Sequence, residues 1–491
     1  MSVSRRAFLA TVAAALPSCA TGRPSPKTNV VIFMTDDHGA WATGAYGCQS
    51  THTPNIDQLA ASGARFTQAF ACTPVCSPSR MTYMTGALPS AHHVQDWLVP
   101  EDSFGPASRC WLRGFRTFSE VLAANGYVGG MCGKWHMGQD DQPQAGFSYW
   151  ATVPGGGGPY NDPEFVHNGV RETIKGFKTD IQTDFALDFL DQQHRNPFFL
   201  YVPFYAPHTP YNVQPERDRS LHADSRFACF PDVPQHPWQN KGLSKLHGSR
   251  DAKLAYSALV SGVDYNVGRV LKRLEELGAR ENTLVIFLAD QGWNSGHHGV
   301  WGKGNGTIPF NMYEESIRVP LIWNHPGRIR AGRNIDAMVS SYDFYPSLLD
   351  YLGIGDRPDR RRVGRSYAPF LLDRNPTWRR NTLFFEYAYV RAIRTRKLKY
   401  VERTDGYPGE AFDLEADPGE TCNVLADPAY REQLASLRTE LAGFFRKNGA
   451  PPLPEWRSTT TQKLPAESAK PARSGGVQRA PAITGVTSTS R

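Results

Sequence analysis

The sequence predicts an α/β protein: a large, mainly parallel sheet flanked by helices, followed by a smaller C-terminal α+β domain carrying an antiparallel sheet. Three observations lead there. Asn29–Met34, Phe198–Pro203 and Thr283–Ala289 are short, unbroken apolar runs, the mark of strands covered on both faces. Amphipathic helical segments alternate with them. The longest runs from about Ala252 to Leu277, where Tyr256, Val260, Val263, Val267, Val270, Leu271, Leu274 and Leu277 recur at steps of three and four. After an arginine-rich stretch from Arg357 to Arg365, residues 380–445 read as short strands and then a helix from about Pro428 to Phe445. The expected divisions are 26–370 for the main domain and 371–450 for the C-terminal subdomain.

The remaining elements follow in order. Residues 1–25 are a targeting segment. Ser4-Arg5-Arg6-Ala7-Phe8-Leu9 opens an apolar run ending at Pro17, too short to span a bilayer, and reads as a twin-arginine export signal. Leu16-Pro17-Ser18-Cys19 resembles a lipoprotein cleavage site, with Cys19 the lipidated residue. The expected location is therefore the periplasm or the cell envelope, with no membrane contact except through that anchor. Ile56–Phe66 reads as a helix, and Asp57 belongs to its first turn. Pro78 begins another helix, Pro being suited to the first helical position. Phe118–Ala124 is helical, Gly126–Met131 is a strand, and Thr183 caps a helix reaching Leu190. Gly155–Gly158 is a flexible loop without the P-loop pattern. Residues 343–353 form a helix. From Pro451 to Arg491 large apolar residues are few and Pro, Ser, Thr, Ala and Gly abound, which predicts a disordered tail.

With 491 residues, 40% of them hydrophobic and 21% charged, the chain can bury a large core. The net charge of +7 is scattered, with no basic stripe, aromatic-interleaved run or motif for nucleic acid. The eight cysteines form no dense disulfide pattern and are expected to be mostly free and buried.

Four candidate strands end in polar residues: Asp36 and Asp37, Lys134 and His136, His208, and Asp290 and Gln291. Ligands of open α/β sheets bind beyond the carboxyl ends of strands, so one shared site is predicted. Asp36, Asp37, Asp290 and Gln291 are oxygen donors suited to a hard divalent cation, Ca²⁺ in preference to Mg²⁺. Lys134, His136, His208, Lys303 and Arg80 supply positive charge and proton donors. Such a set suits a tetrahedral oxyanion.

These residues sit in motifs that resemble the formylglycine-dependent sulfatases of the alkaline phosphatase superfamily. Cys76-Ser77-Pro78-Ser79-Arg80 is similar to the signature Cys-x-Pro-Ser-Arg, Gly133–Gly138 to Gly-Lys-Trp-His-x-Gly, and Ala206–Pro210 to Ala-Pro-His-x-Pro. Asp290-Gln291-Gly292, His298-Gly299, Trp301-Gly302-Lys303 and Tyr313–Pro320 resemble the family's metal and lysine block, and Phe412–Pro418 its C-terminal strand region. The match spans about residues 28 to 446 in the family's order.

The resemblance implies that a formylglycine-generating enzyme oxidises Cys76 to Cα-formylglycine, so that an oxygen rather than a sulfur faces the cation. It implies a metal held by Asp36, Asp37, residue 76, Asp290 and Gln291, the last standing where Asn or His is more usual. One hydroxyl of the hydrated aldehyde attacks sulfur. Lys134 and Lys303 hold the sulfate, His208 helps the alcohol leave, His136 deprotonates the second hydroxyl to expel sulfate, and Arg80 stabilises the charge. The implied substrate is an organic sulfate ester, with a sulfated carbohydrate the expected class. Competing readings are a phosphodiesterase or phosphonate monoester hydrolase of the same superfamily and a non-catalytic glycan-binding lipoprotein. Loops 92–112, 151–180 and 209–250 are expected to wall the pocket, with Trp97, Trp111, Trp150, Trp238 and Trp293 as candidates for sugar stacking. His92, His93 and His297 read as surface or supporting groups, Cys72 as a packed thiol, and His298 as a contact to substrate or a neighbouring loop.

Overall fold

The structure is a computed structural model and describes residues 27–211, 213–374, 380–404 and 406–453. The twin-arginine segment, Cys19 and residues 454–491 of the tail lie outside the described residues. Among those described, no helix is long and apolar enough to cross a membrane.

Ten strands form the main sheet. In spatial order they are Arg333–Ile335, Ala64–Phe66, Leu321–Asn324, Thr283–Ala289, Asn29–Thr35, Phe198–Pro203, Val128–Gly133, Tyr149–Thr152, Glu164–His167 and Val170–Thr173. From Thr283–Ala289 to Tyr149–Thr152 each strand runs parallel to its neighbour, and antiparallel pairings flank this block. In register, Ile32 lies beside Tyr201 on one side and Ile286 on the other.

Burial of both faces explains the unbroken apolar runs. Val30, Ile32 and Met34 pack on one face with Met81, Met84, Phe118, Leu122, Phe344 and Leu348. Val31 and Phe33 pack on the other with Val263, Val267, Val270, Phe189 and Leu59. The helix Arg250–Glu276 supplies the long stripe, and its Ser249 cap accepts a hydrogen bond from the Ala252 N–H at 3.2 Å. Thr117 and Glu120 form a capping box on Phe118–Ala124.

Three local expectations need correction. The helix expected over Ile56–Phe66 occupies Pro54–Ala61, and Ala64–Phe66 is a strand. The chain turns at Gly63, where a Cβ would lie 2.5 Å from the Trp323 carbonyl oxygen; only glycine permits that approach. Thr183 is not a cap. It lies inside the helix Lys178–Gln193 and its hydroxyl donates back to the Thr179 carbonyl at 3.1 Å. The strand expected at 126–131 lies at Val128–Gly133.

The C-terminal strands Thr382–Tyr387, Val390–Thr395, Leu398–Arg403 and Glu410–Asp413 form an antiparallel sheet. The helix Arg431–Lys447 covers it with Leu434, Leu437, Leu441 and Phe445. Buried ion pairs join this sheet to the main domain. Arg394 makes a two-pronged contact to Glu314 at 3.0 and 2.9 Å, and Lys399 reaches Glu314 at 3.2 Å and also Glu420. His298 contacts Glu315 at 2.5 Å. His298, Glu315 and Glu420 are close enough to suggest a metal site, but Lys399 already pairs with Glu420 and His298 with Glu315. His298, expected to contact substrate or a neighbouring loop, meets Glu315 of the short helix Glu314–Ile317.

Candidate active site

Four neighbouring parallel strands end at one place. Thr283–Ala289 delivers Asp290 and Gln291, Asn29–Thr35 delivers Asp36 and Asp37, Phe198–Pro203 leads to His208, and Val128–Gly133 leads to Lys134 and His136. Cys76 enters from the helix Cys76–Thr85, and Lys303 from the turn after the two-residue strand Trp301–Gly302. All these residues are buried except His208, whose side chain is 25% exposed and marks the open side.

The helix begins two residues before the expected start at Pro78. Val75 is extended, and Cys76 itself is the first helical residue. Residue 76 therefore stands at the positive end of the helix. The Cys76 thiol donates to Asp36 Oδ1 at 3.2 Å and accepts from Lys303 Nζ at 2.9 Å. Burial and Asp36 push the thiol's pKa up, but Lys134, Lys303 and a hydrogen bond with His208 outweigh them and bring it down to about 6.

Arg80 is fully buried. Its Nε and Nη2 reach Asp290 Oδ2 at 2.9 and 2.7 Å, and its Nη1 donates to the Lys134 carbonyl at 2.6 Å. Lys134 pairs with Asp36, and Lys303 pairs with Asp37 Oδ1 at 2.6 Å. Burial pushes all three carboxyls upward. At Asp36 the fields of Lys134, His208, Lys303 and Arg80 outweigh it and hold the group well below the usual range. Asp37 stays raised, and Asp290 is raised well above its usual value by burial and repulsion from Asp36.

These residues fit a hard divalent cation. Asp36, Asp37, Cys76 and His208 each bring a donor atom within 4.8 Å of the others. Asp37 Oδ2 and Gln291 Oε1 are buried without a hydrogen-bond partner, which is costly for polar atoms unless something else occupies them. The Gln291 amide N–H₂ donates to Asp36 Oδ1 at 3.0 Å and Asp37 Oδ1 at 2.7 Å, so the side chain already reaches the carboxylates. Asp290 differs: its oxygens accept from Arg80 and from the Gln291 N–H at 2.9 Å.

The two histidines are held differently. His136 Nε2 meets the Leu98 carbonyl at 2.8 Å. A carbonyl only accepts, so Nε2 carries the proton and the neutral ring leaves Nδ1 free. Nδ1 is buried without a partner. Burial and the nearby Lys134 keep this imidazole well below its ordinary pKa, so it is neutral and able to take a proton. His208 Nδ1 meets the Thr209 carbonyl at 2.5 Å, and Nε2 lies 3.6 Å from Asp37 Oδ2.

Several supporting residues escaped sequence reasoning. The glycine run read as a flexible loop is a packing element: Gly156, at φ +67°, lies against the His136 ring. Lys178 is buried and donates to the Gly157 and Gly158 carbonyls, both at 2.8 Å, while its ammonium sits 3.9 Å from the centre of the Tyr205 ring. Burial and repulsion from Lys134 hold its pKa well below the usual lysine value. Four consecutive glycines were the available signal, but nothing local says which side chain they approach.

Other expectations divide. Trp111, Trp150 and Trp293 are buried and packed into hydrophobic cores, which removes them as sugar platforms; Trp97 and Trp238 keep partial exposure. His92 is a buried supporting group in contact with Thr82 at 3.3 Å, His93 is exposed, and His297 packs on Trp41. Cys72 is a packed thiol, and Asp57 lies in the first turn of its helix. The seven described cysteines are free, four of them buried.

The sheet and its polar centre define an enzyme of the alkaline phosphatase superfamily. The sulfatase family profile matches residues 28–354, and a profile described as N-sulphoglucosamine sulphohydrolase, C-terminal, matches residues 296–447. The N-acetylglucosamine-6-O-sulfatase of Bacteroides thetaiotaomicron is 28% identical, covering 90% of this chain and 91% of that protein. The N-acetylgalactosamine-6-sulfatase of Mus musculus is 30% identical, covering 74% and 69% respectively. A solved structure described as BT4656 in complex with its substrate D-glucosamine-2-N,6-O-disulfate superposes with a TM-score of 0.75 at 26% identity, covering 87% of this chain and 99% of that one. The chain belongs to the sulfatase family, and it is a sulfuric ester hydrolase.

Proposed function

We propose that this enzyme removes sulfate from a carbohydrate, with a 6-O-sulfated hexosamine as the substrate class, and that residue 76 works as Cα-formylglycine beside a bound Ca²⁺. The observation that carries the reading is the convergence on Cys76: Lys303 at 2.9 Å, Asp36 at 3.2 Å, and a neutral His136 with a free Nδ1 in the same centre. The names of two relatives and the ligand of the solved structure support the sugar class.

Asp36, Asp37, Asp290 and Gln291 would hold the cation, which supplies electrophilic stabilisation of sulfate oxygens. Lys134 and Lys303, freed from carboxylates that a cation would engage, bind the sulfate. The hydrated form of residue 76 provides the attacking oxygen and, in its second hydroxyl, a proton for His136 Nδ1. His208, fixed by the Thr209 carbonyl and facing the open side, protonates the departing sugar oxygen. Arg80 binds Asp290 and the Lys134 backbone, which keeps both in place as charge moves. Export through the twin-arginine machinery, with anchoring at Cys19, and conversion by a formylglycine-generating enzyme complete the reading on the sequence motifs.

Peptide mass spectrometry across residue 76, on protein from its native host, tests the nucleophile. Hydrolysis of N-acetylglucosamine 6-sulfate beside an aryl phosphate diester tests the substrate class. Aldehyde at residue 76 with preferential sulfate release is the expected result. An unmodified thiol in active protein would overturn the formylglycine reading, and preferential phosphodiester hydrolysis would overturn the sulfate preference.

A further inference from the structure

Asp96 is a buried carboxylate that the chemistry above does not use. It lies between the short helices Pro89–His92 and Pro100–Ser103, in the segment expected to wall the pocket. Three contacts pin that segment to the centre. The Leu98 carbonyl accepts from His136, the Leu98 N–H donates to Ser77 Oγ at 3.0 Å, and the Gln95 carbonyl accepts from the Ala388 N–H at 3.2 Å. Asp96 is therefore held between the helix that starts at Cys76, the catalytic histidine and the C-terminal hairpin.

The two carboxylate oxygens have different surroundings. Oδ1 accepts from the Trp97 N–H at 2.8 Å and from the Tyr387 hydroxyl at 2.9 Å. Oδ2 takes part in neither bond, and it is absent from the buried, unpartnered atoms, so it keeps an accessible face although the residue is only 4% exposed. Asp96 forms no ion pair among the described residues. Burial raises its pKa to about 7, although the Trp97 N–H, the Tyr387 hydroxyl and the field of Lys303 draw it down. Its neighbour Trp97 is partly exposed. A carboxylate held in one orientation by two donors, with its second oxygen free beside a reacting centre and an aromatic ring, is built to accept a ligand's proton.

We propose that Asp96 is a specificity-determining residue whose Oδ2 accepts a hydrogen bond from a hydroxyl of the sugar that carries the scissile sulfate. This rests on the carbohydrate sulfatase reading above. Tyr387 acts through it as a positioning residue, fixing Oδ1 so that Oδ2 faces the ligand. A site that hydrogen-bonds a substrate hydroxyl discriminates strongly against ligands lacking one.

The test compares Asp96→Asn and Tyr387→Phe with wild-type converted enzyme on N-acetylglucosamine 6-sulfate and on 4-methylumbelliferyl sulfate, whose leaving group bears no sugar hydroxyl. Asn retains an oxygen for Trp97 and Tyr387 and replaces only the free acceptor by a donor. For Asp96→Asn, kcat/KM on the sugar is expected to fall about ten- to a hundredfold, with turnover of the aryl sulfate within about threefold. Tyr387→Phe should give a smaller loss in the same direction, and melting temperatures identify any variant that fails to fold. An equal loss on both substrates, or no loss on the sugar, overturns the Asp96 assignment while the sulfatase reading stands. Wild-type enzyme that releases sulfate only from the aryl ester overturns the carbohydrate reading and the Asp96 assignment with it.

Discussion

Gly156 lies against the ring of His136: a Cβ at Gly156 would stand 2.4 Å from His136 Cγ. The backbone there has φ +67°, so a side chain would be strained as well as crowded. The glycine run thus forms one wall of the space in which the imidazole is held, and Lys178 ties that wall down.

Gly156→Ala should displace the His136 ring and lower kcat by roughly tenfold or more, since small misplacements of catalytic groups are costly. KM should change less, because Lys134 and Lys303, the proposed holders of the sulfate, are untouched. Steady-state kinetics on any accepted sulfate ester would check it, and an unchanged kcat would show that the ring can move aside without penalty.

Arg80→Met should be severe even for folding. It would leave Asp290 without its buried ion-pair partner at 2.7 Å and the Lys134 carbonyl without its donor. Breaking a buried pair in this way costs about 3–5 kcal/mol. Chemical denaturation of wild type and variant, both in chelator, measures the difference. A loss below about 1 kcal/mol would mean that the carboxyl simply protonates, as the raised pKa of Asp290 allows.

Cation removal should abolish sulfate release and lower the melting temperature. Asp36, Asp37 and Asp290 are fully buried together, and a cation bound only by the folded state stabilises it by mass action. Ca²⁺ should restore both properties at lower concentration than Mg²⁺. Gln291→Ala should raise the Ca²⁺ concentration needed for half-restoration by roughly tenfold, since it removes one oxygen donor. Titration followed by melting temperature reads this separately from activity.

His92 predicts a pH dependence of stability. It is buried, touches Thr82, and burial together with His93 lowers its pKa from the usual 6.5 to about 3. In the unfolded chain it protonates below about 6.5, so there the unfolded state binds more protons and stability falls as pH falls. This contribution runs from about pH 6.5 down to about 3. His92→Gln should flatten the slope of unfolding free energy against pH by up to one proton across that window. An unchanged slope would show that His92 is already protonated in the folded enzyme.

Much of the fold was written locally. Unbroken runs such as Thr283–Ala289 read as strands covered on both faces, and the three-four spacing from Tyr256 to Leu274 reads as a long helix with one buried face. The polar residues closing four of those strands marked the centre, because parallel strands place their carboxyl ends on one edge. Which strands are neighbours was decided by packing between segments far apart in the chain: Asn29–Thr35 lies between strands starting at 198 and 283. The same cause hid the boundary at Gly63, where the nearby Trp323 carbonyl ends a helix that apolar spacing alone would extend. It also hid Gly156 beside His136, the Leu98 carbonyl that sets the imidazole tautomer, and Tyr387 on Asp96. Each depends on two surfaces meeting, and periodicity records only which face of an element is apolar, never what that face will touch.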